Sequence, residues 1–175
     1  RRSNLKGIDR DRPVDPQLVG ELCRLATLAP NHRHTAPWRF TVFTGDGRRT
    51  LGAAFERGQR AKGVTDQIAL DKALTKYTRA PVVVAVASVG DTDPVVCAEN
   101  RDAVSAAVQT LLLAATAAGL ASLWSTGAAV TDSEVRALCG LGEGDTLVAI
   151  VYLGWQTGEI PASDRSDPVI RTLDS

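Results

Sequence analysis

Only two histidines, His32 and His34, occur in this chain, and no acidic or cysteine partner stands at ligand spacing from them. No metal centre is legible in such a sequence, and imidazole is too scarce for an obvious nucleophilic triad. A GxSxG elbow, a P-loop and a GxGxxG turn are also lacking. The three cysteines, Cys23, Cys97 and Cys139, lie far apart without a CxxC pair, and an odd number does not suit a disulfide framework. Cys23 and Cys139 fall in apolar helical patterns and read as small buried hydrophobes. A reducing compartment, the cytoplasm, fits, and no signal peptide is legible. Neither sign of charge prevails, with Lys plus Arg equal to Asp plus Glu at 20 each. That balance gives no global steering toward nucleic acid or an anionic membrane. With so few protein groups for difficult chemistry, an enzyme built on this chain would take its chemistry from a cofactor.

What is present is an ordinary globular composition, 44% apolar and 23% charged over 175 residues, which suits one domain spanning 1–175. Asp15-Pro16 reads as an N-cap followed by a first-turn proline. Leu18, Leu22, Leu25 and Ala29 then recur at helical spacing toward Pro30. Phe40 to Phe43 is a short strand before the Gly45-Asp46-Gly47 turn, and helices are expected around 51–60 and 66–77. Pro81 to Val89 and Thr146 to Gly154 are apolar runs typical of strands covered on both faces. Thr131-Asp132-Ser133-Glu134 reads as a capping box opening a short helix that ends at Gly140. The tail from Gln156 to Ser175 is polar and irregular. Strands and helices in this mixture indicate an α/β or α+β sandwich.

The segment from Pro94 to Gly119 reads as one helix of about 26 residues, roughly 39 Å long. Between Ala103 and Ala121 its only polar residues are Ser105, Gln109, Thr110 and Thr116. The stretch is too rich in alanine to span a membrane. A helix apolar on every face should be buried on every face. In a chain this short, a second copy of the chain is the expected cover, in a homodimer. The competing reading is a central helix within a monomer.

Three segments suit an anionic, planar cofactor. Arg1-Arg2-Ser3 offers two guanidinium forks and a hydroxyl matched to a phosphate, although a surface arginine patch has the same composition. The loop from Ala29 to Phe40 gathers two prolines, two histidines, two arginines and a tryptophan. Leu123-Trp124-Ser125-Thr126-Gly127, at the end of the long-helix region, brings hydroxyls and a glycine that permits close backbone approach. Each tryptophan reads equally well as a half-buried core aromatic.

Taken together, the ordered set resembles the nitroreductase family, and more closely its short, minimal branch. The matching residues are Arg1-Arg2-Ser3, Ala29-Pro30-Asn31-His32, Pro37-Trp38-Arg39-Phe40 and Arg79-Ala80-Pro81. Gln109 to Ala115, Gly119-Leu120, Trp124 to Gly127 and Tyr152-Leu153-Gly154 complete it. The resemblance implies an α+β, three-layer sandwich with an antiparallel-rich central sheet flanked by helices and a long dimer helix. It implies two FMN molecules at a homodimer interface and NAD(P)H as co-substrate. Hydride would pass from nicotinamide C4 to flavin N5, and a nitroaromatic, quinone or similar acceptor would then take the same place, a ping-pong cycle. Arg1, Arg2 and Ser3 would grip the FMN phosphate and ribityl chain, and His32 would contact the flavin. Ser125, Thr126 and Gly127 would reach the flavin bound mainly by the partner subunit, while Pro37 and Trp38 would shape the pocket.

The chain departs from the family pattern in three places. Leu5, followed by Lys6, stands where the family often has arginine, and Ser125 stands where the short branch often has arginine. The helix that usually precedes the double arginine is not in this sequence. A positive charge near the cofactor is therefore expected to be missing. On the same scaffold a reductive dehalogenase, an enone reductase, or a flavin carrier or sensor without turnover are the alternatives.

Overall fold

The structure, a computed structural model, describes residues 1–160, 162 and 165–173. Its frame is a four-stranded antiparallel sheet with helices on both faces, the expected α+β three-layer arrangement. The strands are β1 (Trp38–Thr44), β2 (Val82–Ser88), β3 (Leu120–Ser125) and β4 (Thr146–Trp155), in spatial order β1-β2-β4-β3. The helices are α1 (Pro16–Ala26), α2 (Gly47–Ala61), α3 (Gln67–Thr75), α4 (Pro94–Ala117) and α5 (Ser133–Leu138). Strand β2 is buried along its whole length, as are eight of the ten residues of β4. Both are interior strands with a helical layer on each side, which explains their unbroken apolar runs.

Period-2 alternation divides the core. Val82, Val84 and Val86 of β2 face one cluster with Val104, Val108, Leu111 and Leu112 of α4 and with Val19 and Leu22 of α1. Val83, Ala85 and Ala87 face the other, with Leu51 and Phe55 of α2, Ala73 of α3 and Val135 of α5.

Helix ends follow local chemistry. Asp15 accepts from the Gln17 N–H at 2.8 Å ahead of Pro16, as the sequence indicates. Helix α1 closes at Ala26 rather than near Pro30. The N–H groups of Thr27, Leu28 and Ala29 turn to carbonyls three residues back, which tightens the last turn. The third expected helix, 66–77, divides into α3 and a 3-10 turn at Lys76–Arg79. Gly119, with φ at +81°, provides the left-handed residue that ends α4 and turns the chain into β3. Beyond Gln156 the described residues form no helix or strand, in keeping with the irregular tail expected there.

Two expectations need correction. Strand β3 lies where only the end of the long-helix region was expected. Its six residues, Leu-Ala-Ser-Leu-Trp-Ser, alternate weakly because helices cover part of both faces. The cap of α5 is Asp132, not Thr131. Thr131 closes a 3-10 turn (Ala128–Thr131) and its hydroxyl donates to the Ala128 carbonyl. Asp132 accepts from the N–H groups of Glu134 and Val135 instead.

Helix α4, expected to be apolar all round, is covered more fully by its own chain than its composition suggests. Nine of its residues are buried, Ala107 among them. Pro94, Val95, Ala98 and Arg101 are exposed toward its N-terminus, and further along a narrow stripe of Asp102, Gln109, Leu113 and Ala117 stays open, with Ala106 partly covered. No helix among the described residues is long and apolar enough to cross a membrane.

Asp132 also joins α5 to α2. Fully buried, it receives the Lys62 ammonium at 2.8 Å and the Gln59 amide at 3.4 Å. Replacing it removes a cap and a charge-assisted bond together. Asp132→Ala is expected to destabilise the fold by about 2–4 kcal/mol. Urea unfolding should show the lower midpoint, and a loss under about 1 kcal/mol would mean that the Lys62 contact contributes nothing.

Candidate functional site

Strand β3 is an edge of the sheet, and the N-terminal residues run beside it. Ser3 pairs with Ser122 in parallel fashion, and the Asn4 N–H donates to the Ser122 carbonyl at 2.9 Å. The Arg1 guanidinium donates to the Ser3 hydroxyl at 3.4 Å, and both residues are exposed. A fork and a hydroxyl thus stand together with capacity left for a further acceptor. Arg2 is partly buried. Three residues along from Ser122, roughly 10 Å at strand spacing, β3 ends at Ser125, and Thr126 and Gly127 follow in the open. Arg1–Ser3 and Ser125–Gly127 therefore share one edge of one chain.

Nothing inside the chain requires glycine at 127. Its φ is −54°, open to any residue, and a Cβ added there would meet no atom within 4 Å. Glycine there leaves the backbone open to close approach from outside.

Past Ser125 the edge opens into a cleft of about 480 Å³ lined by Thr126, Val130, Arg136 and Arg101 of α4, among others. Arg136 is engaged with the carbonyls of Gly142 and Asp145. Arg101 makes no ion pair among the described residues. Where the short branch often has arginine this chain has Ser125, yet a guanidinium reaches the same cleft from α4. Sequence reading could not find it, since Arg101 is one surface charge on a helix 25 positions away.

His32 lies elsewhere. It lines a separate cleft with Pro30, Asn31, Glu99, Asp102 and Ala106, against the N-terminal half of α4. No residue of Arg1–Ser3 or Ser125–Gly127 lines that cleft. The loop holding His32 is strained and tied down. His34 and Ala36 have φ of 52° and 47°, a region that costs a non-glycine residue roughly 1–2 kcal/mol. Asn31 accepts from the Ala36 N–H at 3.0 Å, and Arg33 pairs with Glu99 at 2.7 Å. The Thr35 hydroxyl donates to buried Asn100, whose own amide donates to the Val89 carbonyl. Such over-determined strain is characteristic of functional loops. Trp38 packs partly buried against the α1–α4 core, and Pro37 is buried beside it.

None of the three cysteines lines either cleft. All three cysteines are free and partly buried, less enclosed than the small-hydrophobe reading expects. Burial pushes the Cys23 thiol up to about 11, away from the thiolate form. No group of three or more His, Cys, Asp or Glu among the described residues could hold a metal ion.

The chain is similar to known proteins in both sequence and fold. A family model described as "Nitroreductase family" matches residues 1–155. The chain is 34% identical over 157 residues to "Putative NAD(P)H nitroreductase YdjA" of Escherichia coli (strain K12), covering 87% of this chain and 84% of that protein. A nitroreductase-like family protein from Bacillus cereus superposes with a TM-score of 0.80 at 28% identity, over 96% of this chain and 87% of that one. An FMN-bound nitroreductase from Bacteroides fragilis has the same fold, with a TM-score of 0.74 at 23% identity over 99% and 95% of the two chains. With a family match over most of its length and a relative above 30% identity, this chain belongs to the nitroreductase family of oxidoreductases.

Proposed function

We propose that this oxidoreductase uses bound FMN to carry a hydride from NAD(P)H to a nitroaromatic, a quinone or a similar small acceptor, the two substrates occupying one place in turn. FMN is the cofactor and NAD(P)H the co-substrate, in keeping with the names of its relatives. One observation carries the reading: the Arg1–Ser3 donor pair and the Ser125–Gly127 segment lie along the same edge of one chain. Arg1 and Ser3, with Arg2 beside them, hold the phosphate and ribityl chain. Ser125, Thr126 and the open backbone at Gly127 take the other end of the same cofactor, rather than of one bound mainly by the partner subunit as the resemblance implies, because they share the Ser3 edge. Arg101 adds positive charge near Thr126, which favours a reduced, anionic ring. His32, set on a different cleft of its own chain, contacts a cofactor held by the second subunit. No side chain is required as a general acid, because solvent supplies protons. The free thiols suit a cytoplasmic setting.

The second subunit is itself part of the proposal. The open stripe of α4 centres on Leu113, 53% exposed, between small or polar neighbours that permit close helix approach. A second copy of the chain covers it, making a homodimer.

Three measurements test these statements. With NADH or NADPH and a quinone or nitroaromatic, double-reciprocal plots should give parallel lines, and converging lines would count against a shared place. Turnover of an iodinated phenol or an enone alone would indicate the dehalogenase or enone reductase reading. Bound flavin that neither nucleotide bleaches would indicate a carrier or sensor.

Arg1→Ala is expected to weaken FMN binding to the apoprotein by roughly 10- to 100-fold, and riboflavin binding by less. Equal losses for the two ligands would leave Arg1 a surface arginine.

Leu113→Arg should shift the protein from dimer to monomer at micromolar concentration in sedimentation velocity, since it sets a charge in an apolar contact. Ala107 cannot serve this purpose, because it is wholly buried inside one chain. A wild type that sediments as a flavin-loaded monomer would sink the dimer.

A further inference from the structure

On the face of the sheet opposite α4, a trough of about 550 Å³ runs between α2, α3 and the Lys76–Arg79 turn. A neighbouring cleft of about 390 Å³, lined by Leu5, Lys6 and Ile8, shares Arg10 and Arg79 with it. Lys6, Arg10, Lys72, Lys76 and Arg79 thus line one continuous surface. No carboxylate lines either part, and none of the five cations forms an ion pair among the described residues. Leu5, which stands where the family often has arginine, shares the smaller cleft with Lys6, Arg10 and Arg79.

The crowding has a cost within the chain. Lys76 is half-buried, with its ammonium 4.7 Å from the centre of the Phe55 ring. Burial, and then the like charge of Arg79, lower its pKa. The Arg79 guanidinium lies 5.5 Å from the Tyr152 ring. Like charges gathered without counter-ions repel, and the contacts with the Phe55 and Tyr152 rings offset that only in part. The lining also includes the apolar Phe55, Val64, Ala69 and Ala73. Apolar surface mixed with cations fits a flat base that carries phosphate groups.

We propose that this trough binds the phosphorylated adenosine end of NADPH, with its 2′-phosphate among Arg10, Lys72 and Lys76, so that the enzyme prefers NADPH to NADH. The inference rests on the reading that a nicotinamide dinucleotide is the hydride donor. The 2′-phosphate is the whole difference between the two nucleotides and adds a charge of about −2 at neutral pH. A site selecting NADH typically presents a carboxylate to the ribose 2′-hydroxyl, whereas a guanidinium accommodates the 2′-phosphate. The trough has cations and no carboxylate. It also opens beside Leu5 and Lys6, within three residues of Ser3, so a nucleotide lying in it is next to the proposed FMN anchor.

The test uses the FMN-loaded protein and two nucleotide fragments, 2′,5′-ADP and 5′-AMP, titrated by calorimetry. Wild type should bind 2′,5′-ADP at least about tenfold more tightly than 5′-AMP. Exposed Lys72 is the position to change without disturbing the core. Lys72→Gln should lose about tenfold in 2′,5′-ADP affinity and less in 5′-AMP affinity, with Lys72→Arg restoring most of it. In steady state the ratio of kcat/KM for NADPH to that for NADH should fall by a similar factor in Lys72→Gln. Equal affinity of wild type for the two fragments, or equal loss with both coenzymes, overturns the proposal. Flavin that dissociates from Lys72→Gln but not from wild type also overturns it, since the trough would then hold FMN. Tight 2′,5′-ADP binding in a protein that neither coenzyme reduces would uphold the site and instead defeat the hydride-donor reading.

Discussion

The packing of α4 against the interior strands β2 and β4 is the contact on which the rest of this molecule depends. Val104, Val108, Leu111 and Leu112 are fully buried there, and a buried Val or Leu side chain contributes about 1.5–3 kcal/mol. Both ends of the proposed site hang from that helix. Its C-terminus passes through Gly119 into β3, the strand that aligns Ser3 with the Ser125–Gly127 segment. Its N-terminal half holds the His32 loop through Glu99 and Asn100. A shift of α4 relative to the sheet would move both ends at once, which is how a small core sets the spacing of groups far apart in sequence.

The same helix explains how an interface can form without weakening the monomer. A helix that buried all its apolar surface against a partner would leave each chain short of core. Here most of α4 completes the monomer, and the stripe through Leu113 stays open for the proposed second copy. Small residues at Ala106 and Ala117 along that stripe let another backbone come close, so van der Waals contact can replace the missing area.

Much of this was legible in sequence because the signals are local. The capping chemistry of Asp15-Pro16, the valine run of β2 and the length of α4 follow from residues adjacent in the chain. So does the gathering of Arg1-Arg2-Ser3. What was not legible depends on residues that meet only in space. Strand β3 is defined by its pairing with β4 rather than by its own pattern. Asp132 outcompetes Thr131 as a cap because Lys62 and Gln59, some 70 positions away, also need its oxygens. Arg101 beside Thr126, and Lys72 beside Arg10, are surface charges on separate elements until the fold brings them together. The family pattern marked two places where a cation was expected and absent. It could not say that other residues fill the same regions.

A net charge of zero conceals how unevenly the two signs are used. The carboxylates are largely committed to structure: Asp15, Asp66, Asp93 and Asp132 cap α1, α3, α4 and α5. Others answer a particular arginine, as Glu21 does Arg24, Glu56 does Arg60, Glu99 does Arg33 and Glu134 does Arg57. A capping carboxylate also lies at the positive end of a helix dipole, so its charge is partly neutralised where it stands. Arg1 and the cations of the Lys6–Arg79 trough answer no carboxylate among the described residues. Local positive potential therefore arises because the matching negative charge is held at helix N-termini, not because basic residues are in excess. In a protein whose cofactor and co-substrate both carry phosphate, that separation steers anionic ligands to two surfaces while the molecule as a whole stays neutral.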